Sequence, residues 1–356
     1  MDLDIYLHSS QANYERTIQI HLPTSCIMGV LASDLPSHSL PAVIITTITG
    51  SLSAISSCCL ILVILRSQSK LNTVYHRITF GMSCADIMSS VAMALTTIPL
   101  PKSLPNDIIE LEANFVDYDN WAGMKLGNVQ TCSAQGFFFT FGILAMYVYN
   151  LMLCVYYVCT LVFHMKEKLI IRRVEPALHI CPITLGLGCA LNFLFFNAYN
   201  PNGWEAWCAP HSVGCDWSDE NPKCIRGTKR INEQLQTELV VLVLVMGIVS
   251  VASLLLVVAH VYRLDRVMKF TATVNRKMYR NAYPRDHVMS RIKNHHANTK
   301  VVCVQALAYL VAFVTTLIFP ALQGTNVFGT DTPPLIHYLE LVFTPLQGFF
   351  NFVSII

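Results

Sequence analysis

PAVIITTITGSLSAISSCCLILVIL, residues 41–65, runs without a charged side chain and stops at Arg66. A helix rises about 1.5 Å per residue and the hydrocarbon core of a bilayer is about 30 Å thick, so roughly 20 mostly apolar residues cross it. The stretch meets that length with residues to spare. It reads as a membrane span.

Six further windows of the same kind lie downstream. Ile78 to Pro101 carries one charge, Asp86; Cys132 to Phe163 lies inside an uncharged run from Leu126 to Met165. Pro176 to Tyr199, Leu239 to Tyr262 and Val301 to Leu322 follow, and the last, from Leu335 to Ile356, contains Glu340. The composition agrees: 53% of residues are hydrophobic and 13% charged, with a mean hydropathy of +0.48, against about 25% charged in an average soluble domain. The expectation is an all-α membrane protein, a seven-transmembrane helix bundle, divided into a short outer segment at 1–40 and a membrane domain at 41–356.

Loop charge sets the expected orientation. Residues 1–40 hold four acidic and one basic residue, and 102–131 hold five and two. Residues 66–77 hold three basic residues and no acid, 164–175 hold four basic and two acidic, and 263–300 hold ten basic and two acidic. Segment 200–237 is acidic by one. Alternate connections are therefore basic, and basic connections stay in the cytoplasm. This puts the N-terminus outside and the C-terminus inside. No basic stretch followed by an apolar h-region opens the chain, so the first span is expected to direct insertion. No Asn-x-Ser/Thr sequon occurs. The plasma membrane is the expected site, with membrane lipid as a partner and nucleic acid excluded.

The thirteen cysteines divide by compartment. Cys26, Cys132, Cys208, Cys215 and Cys224 fall outside, where disulfides persist. A bridge from Cys132 to the loop at 200–237 would tie that loop across the mouth of the bundle. Cys215 is taken as its partner over Cys208 and Cys224, although spacing selects no connectivity. Zinc held by the same loop, with His211 nearby, is the alternative.

Several residues are costly where they stand. A charge at the bilayer centre costs roughly 2.5–3.5 kcal/mol on insertion scales, so Asp86 is expected to face the bundle interior. It is either a cation or proton site coupled to helix rearrangement, or a neutral carboxyl that holds helices together. Its candidate partners are Ser57, Asn150 and Asn351. Glu340, beside His337 and Tyr338, is a candidate lining residue of an outward cavity. Tyr156 and Tyr157 end the third span, where an aromatic belt is the plainer reading and a cytoplasmic coupling surface the functional one. Pro320 and Pro345 are expected to kink the last two spans and to act as hinges. Arg276, Lys277 and Arg280, in the basic segment, are expected to meet lipid or a cytoplasmic partner.

These features resemble the rhodopsin-like G-protein-coupled receptors and their microbial relatives of the cyclic-AMP-receptor-like group. Ser56 to Arg66 looks like that family's first helix entering a basic loop, with Ser57 where the family has Asn. Gly81-Met82-Ser83-Cys84-Ala85-Asp86 resembles its Asn-Leu-Ala-x-Ala-Asp, and Asp86 then falls on the family's internal sodium-binding aspartate. Cys132 opens the third helix as the bridging cysteine does, and Pro345 to Asn351 is similar to the approach to Asn-Pro-x-x-Tyr. Tyr156-Tyr157-Val158 stands where the family has Asp-Arg-Tyr, and Leu317-Ile318-Phe319-Pro320 keeps only the proline of Cys-Trp-x-Pro. The sequence ends at Ile356 without an eighth helix or tail.

The resemblance implies a receptor for an unknown extracellular ligand, signalling to a heterotrimeric G protein or another cytoplasmic transducer, with no cofactor beyond an internal sodium ion. The competing readings are a degenerate or truncated receptor without G-protein coupling, and a transporter or channel. A retinal-based light sensor is disfavoured because no lysine follows Lys300 to form the Schiff base. Neither His-Glu-x-x-His nor a nucleophile motif occurs, so no enzyme is expected.

Overall fold

The computed structural model describes residues 39–104, 106, 108, 118–201, 205–215, 223–278, 304, 307–309, 311–319, 322 and 334–355. Cys26, Arg280 and Pro320 lie outside the described residues. Arg276 and Lys277 fall in the last turns of a helix.

The chain is mostly helical. Helix α1 spans Leu40–Arg66, α2 Val74–Ala94 and α3 Val129–Tyr157, with α3 prolonged by a π-helical turn through Val162. Helix α4 covers Glu167–Phe195 and includes a π turn at Ile170–Val174. Helix α5 runs over Lys229–Met278, and α6 over Leu307–Phe319. The C-terminal run is broken: α7, Pro334–Phe343, is separated from α8, Gln347–Ile355, by a 3-10 turn at Thr344–Leu346.

Local chemistry explains several of the boundaries. The Thr73 hydroxyl accepts from the His76 amide at the start of α2. Asn128 and Thr131 form a reciprocal capping box at the start of α3, which satisfies amides that no turn of the helix can reach. Pro345 sits in the 3-10 turn, where its missing N–H and ring cannot continue a regular α-helix.

Among the described residues, four helices are long and apolar enough to cross a membrane: Leu40–Arg66, Val129–Val162, Glu167–Phe195 and Leu244–Arg263. The chain is a multi-pass membrane protein. The expected bundle of seven spans is corrected on this point, for three distinct reasons. The window 78–101 is helical only to Ala94 and is diluted by Ser83, Asp86, Ser89 and Ser90. The apolar part of α6 is short. The last window splits into helices of ten and nine residues. The segment from Arg263, expected as a loop, continues α5 as helix to Met278, so that helix reaches about 75 Å, well beyond one bilayer thickness.

Helix α3 is the hub, packed against α2, α4 and α5, while α1 packs on α2 and α8. Close approach depends on small residues. At Gly142 an added Cβ would stand 2.6 Å from the Ala85 carbonyl oxygen and the Ser89 nitrogen, so α2 and α3 touch there backbone to backbone. The main core gathers Val74, Ile78, Met82, Met146, Leu153 and Phe313.

Between α4 and α5 lie two small antiparallel hairpins. Strand β1 (Tyr199–Pro201) pairs with β2 (Cys208–Pro210), and β3 (Val213–Cys215) with β4 (Cys224–Arg226), with Pro201 opposite Cys208 and Cys215 opposite Cys224. The segment around β2 covers one end of the helices: Trp207 packs with Ala42 and Val43 of α1, Met93 of α2 and Leu341 of α7. The start of α1 therefore shares an end with the disulfide-bearing segment.

Candidate functional site

The polar centre of the fold lies where α1, α2 and α8 meet. Asp86 is 1% exposed. Its Oδ2 accepts from Ser57 Oγ at 2.7 Å, Ser53 Oγ at 3.2 Å and Ser90 Oγ at 3.3 Å. Ser53 precedes Ser57 by one helical turn and Ser90 follows Asp86 by one, so each helix presents two of these groups on a single face. The backbone N–H of Gly348, in the first turn of α8, donates to Ser53 Oγ at 2.9 Å. A Cβ at Gly348 would stand 2.0 Å from Asp86 Oδ2 and 2.3 Å from Ser57 Oγ. Only glycine lets the start of α8 reach the carboxyl group.

The arrangement also carries favourable electrostatics. The break at Thr344–Leu346 creates a helix N-terminus inside the protein, whose unpaired amides favour negative charge. With three hydroxyls, it offsets part of the cost of keeping a carboxyl group out of water.

Asn150 and Asn351 bond elsewhere than to Asp86. Asn150 Nδ2 donates to the Met146 carbonyl of its own helix at 3.2 Å, and Asn351 Oδ1 accepts from Gln347 Nε2 at 3.0 Å. The Thr316 hydroxyl, on α6, donates to Gln347 Oε1. No group of three or more His, Cys, Asp or Glu gathers among the described residues. The sodium site implied by resemblance thus reduces to one carboxyl group and its serine donors.

Glu340 is the second buried acid, 9% exposed, with His337 Nδ1 3.9 Å from its Oε2. That separation is too long for a hydrogen bond. Glu340 Oε2 and both His337 ring nitrogens have no hydrogen-bond partner among the described residues. Thr344, one turn on, is buried with its hydroxyl likewise unpartnered, and Pro345 beside it is buried.

The disulfides correct the expected pairing. Cys132 bonds Cys208, and Cys215 bonds Cys224. Cys215 lies opposite Cys224 in the β3–β4 register, which leaves Cys208 of β2 to reach the top of α3. With both loop pairs used, the zinc alternative has no free thiols at these positions.

Tyr157 is also corrected as a coupling surface: it is 5% exposed and packs 6.4 Å from the Tyr75 ring. Tyr156 is half-buried against the same cluster. At this end the sequence reading missed an ion pair. Arg77 of α2 binds Glu175 of α4 through Nε and, at 2.8 Å, Nη2. Its Nη1 donates to the Leu71 carbonyl, while His179 stands 3.8 Å from Glu175 and 3.3 Å from Tyr149 Oη. The only sequence signal was a charge at each of two span ends.

No protein-family model matches the chain, and no curated protein matches it in sequence. The likeness to rhodopsin-like receptors is corrected accordingly. It rested on short motifs within a seven-span frame, and four membrane-length helices, a broken C-terminal run and a 50-residue α5 do not supply that frame. The extracellular ligand, the G protein and the receptor function were implied by the likeness and lose their basis with it. Lipid contact stands on the apolar helices themselves.

Proposed function

We propose that this multi-pass protein is a transporter or channel that moves protons, with Asp86 as the group that takes up and releases them. The carrying observation is a carboxyl group 1% exposed, held by three serine hydroxyls at the internal N-terminus of a broken helix. Ionisable groups inside membrane proteins mark proton relays and substrate paths. Discontinuous helices whose half-helix N-termini face anionic groups recur in secondary transporters, and here the N-terminus of α8 faces the Asp86 carboxyl group. A proton suits the site because neutralising Asp86 removes the cost of a buried charge, whereas deprotonation draws the serines and α8 toward it. The two states thus favour different packings of α1 against α8. Disulfides persist in oxidising spaces, so the Cys132–Cys208 and Cys215–Cys224 bridges support a membrane whose hairpin-bearing side is oxidising, such as the plasma membrane.

The test is purified protein in liposomes loaded with a pH-reporting dye, with a potential imposed by potassium and valinomycin. Wild type should acidify or alkalinise the lumen according to the sign of the potential, and Asp86→Asn should abolish the flux. Absence of flux in wild type, or equal flux in the variant, would refute the proposal.

A further inference from the structure

Six buried polar atoms along one seam of the protein have no hydrogen-bond partner among the described residues: Glu340 Oε2, both ring nitrogens of His337, Thr344 Oγ1, Thr46 Oγ1 and Tyr147 Oη. Thr46 is fully buried on α1, and Thr344 is 5% exposed. Buried polar groups are almost always satisfied, and where protein atoms do not satisfy them ordered water does, each molecule bridging two to four such groups.

The orphaned groups follow the course of the broken helix. Glu340, Thr344 and Gly348 recur at intervals of four residues, and Gly348 abuts Asp86. Helix α1 lies against this run at both levels: Thr49 Oγ1 donates to the Leu341 carbonyl at 3.4 Å, and Ser53 accepts from Gly348 at 2.9 Å. Along the axis Thr344 stands roughly 6 Å from Glu340 through α7 and roughly 7 Å, through the 3-10 turn, from Gly348, which abuts Asp86. One water on each side of a hydroxyl, with hydrogen bonds of about 2.8 Å, covers such a gap.

We infer that a hydrogen-bonded file of buried water joins Glu340 to Asp86 along the seam between α1 and the broken C-terminal run, with the Thr344 hydroxyl as its central member. The file rests on the proton-moving reading and supplies that site with its path. The carboxyl proton of Glu340 passes to the first water, which hands a proton to Thr344 Oγ1. Thr344 gives its own proton to the second water, and that water gives one to the Asp86 carboxylate. One O–H bond breaks and one forms at each member, so the net change is a proton lost at Glu340 and gained at Asp86. Glu340 faces His337, the neutral Tyr147 hydroxyl and the charge of Glu205. Asp86 faces the three serines and the Gly348 amide. His337, beside Glu340 in the first turns of α7, is placed to exchange protons with the disulfide-bearing side.

The test uses the full chain in lipid. The infrared carbonyl stretch of protonated Asp86, assigned by its loss in Asp86→Asn, is followed after transfer to heavy water. Thr344→Val keeps the shape and removes the hydroxyl; it should slow deuteration of Asp86 roughly tenfold. Thr344→Ser restores the hydroxyl and should exchange like wild type. Slowed exchange in the valine variant with no proton flux in wild type would keep the path and refute transport. Unchanged exchange in the valine variant beside measurable wild-type flux would overturn the path and leave transport standing. Equal slowing by valine and serine would assign Thr344 a packing role and also overturn it. So would the lack of any Asp86-dependent carbonyl band at every pH the fold tolerates.

Discussion

Replacing Gly348 with alanine tests the contact on which the site is built. The new methyl would lie 2.0 Å from Asp86 Oδ2, 2.3 Å from Ser57 Oγ and 2.7 Å from Asp86 Cγ. Ordinary carbon contacts lie near 3.5–4.0 Å, so the carboxyl group or the start of α8 must move by about 1.5 Å. Such a shift breaks the 2.7 Å bond from Ser57 and the 2.9 Å bond from the Gly348 amide to Ser53. Overpacking costs roughly 1–3 kcal/mol, and a lost hydrogen bond to a charged group roughly 1.5–3 kcal/mol. Together they give a loss of about 3–5 kcal/mol, or a melting midpoint lowered by about 5–10 °C. A dye that fluoresces on reaction with thiols reports unfolding through the rise in reactivity of Cys84, Cys154 and Cys181, which are half-buried in the folded protein. The decisive comparison is the same substitution in an Asp86→Ala background. With no carboxyl group to displace, the methyl should cost under about 1 kcal/mol. A midpoint within about 1 °C of wild type for Gly348→Ala alone, or an equal loss in both backgrounds, would show that α8 does not meet Asp86 as described.

Peptide mapping without reduction should recover Cys132 joined to Cys208 and Cys215 joined to Cys224. Cys208→Ser should free the Cys132 thiol and remove the closure of a 76-residue separation, about 4–5 kcal/mol in the chain-entropy account. Arg77→Ala and Glu175→Gln should each lower stability by roughly 1–3 kcal/mol, with the double variant costing less than their sum; additive losses would show that the pair is not coupled. Burial holds the His211 imidazole in the loop below its ordinary pKa. The unfolded chain therefore binds the proton more readily, so stability is full above the ordinary histidine pKa of about 6.5 and falls as pH drops toward the folded value. His211→Gln should flatten that part of the stability–pH curve measured with the same dye, and an unchanged slope would assign it to another group.

The membrane character was legible in the sequence because hydropathy is a local sum. α1 and the apolar parts of α3, α4 and α5 announce themselves by uncharged length. Burial of Asp86 was legible for the same reason, since a carboxyl group within an apolar run has nowhere to go but inward. Ser57 was named as its partner, whereas Ser53, Ser90 and Gly348 were not, because their meeting depends on how three helices cross and on a glycine close enough to be grazed. The number of membrane-length helices was overread where polar residues thin an apolar window, as in α2, and where Pro345 breaks one, as between α7 and α8. The Cys132–Cys208 pairing and the Arg77–Glu175 ion pair join residues 76 and 98 positions apart. Which side chains meet over such separations is set by hairpin register and helix packing, so only the tertiary structure decided it.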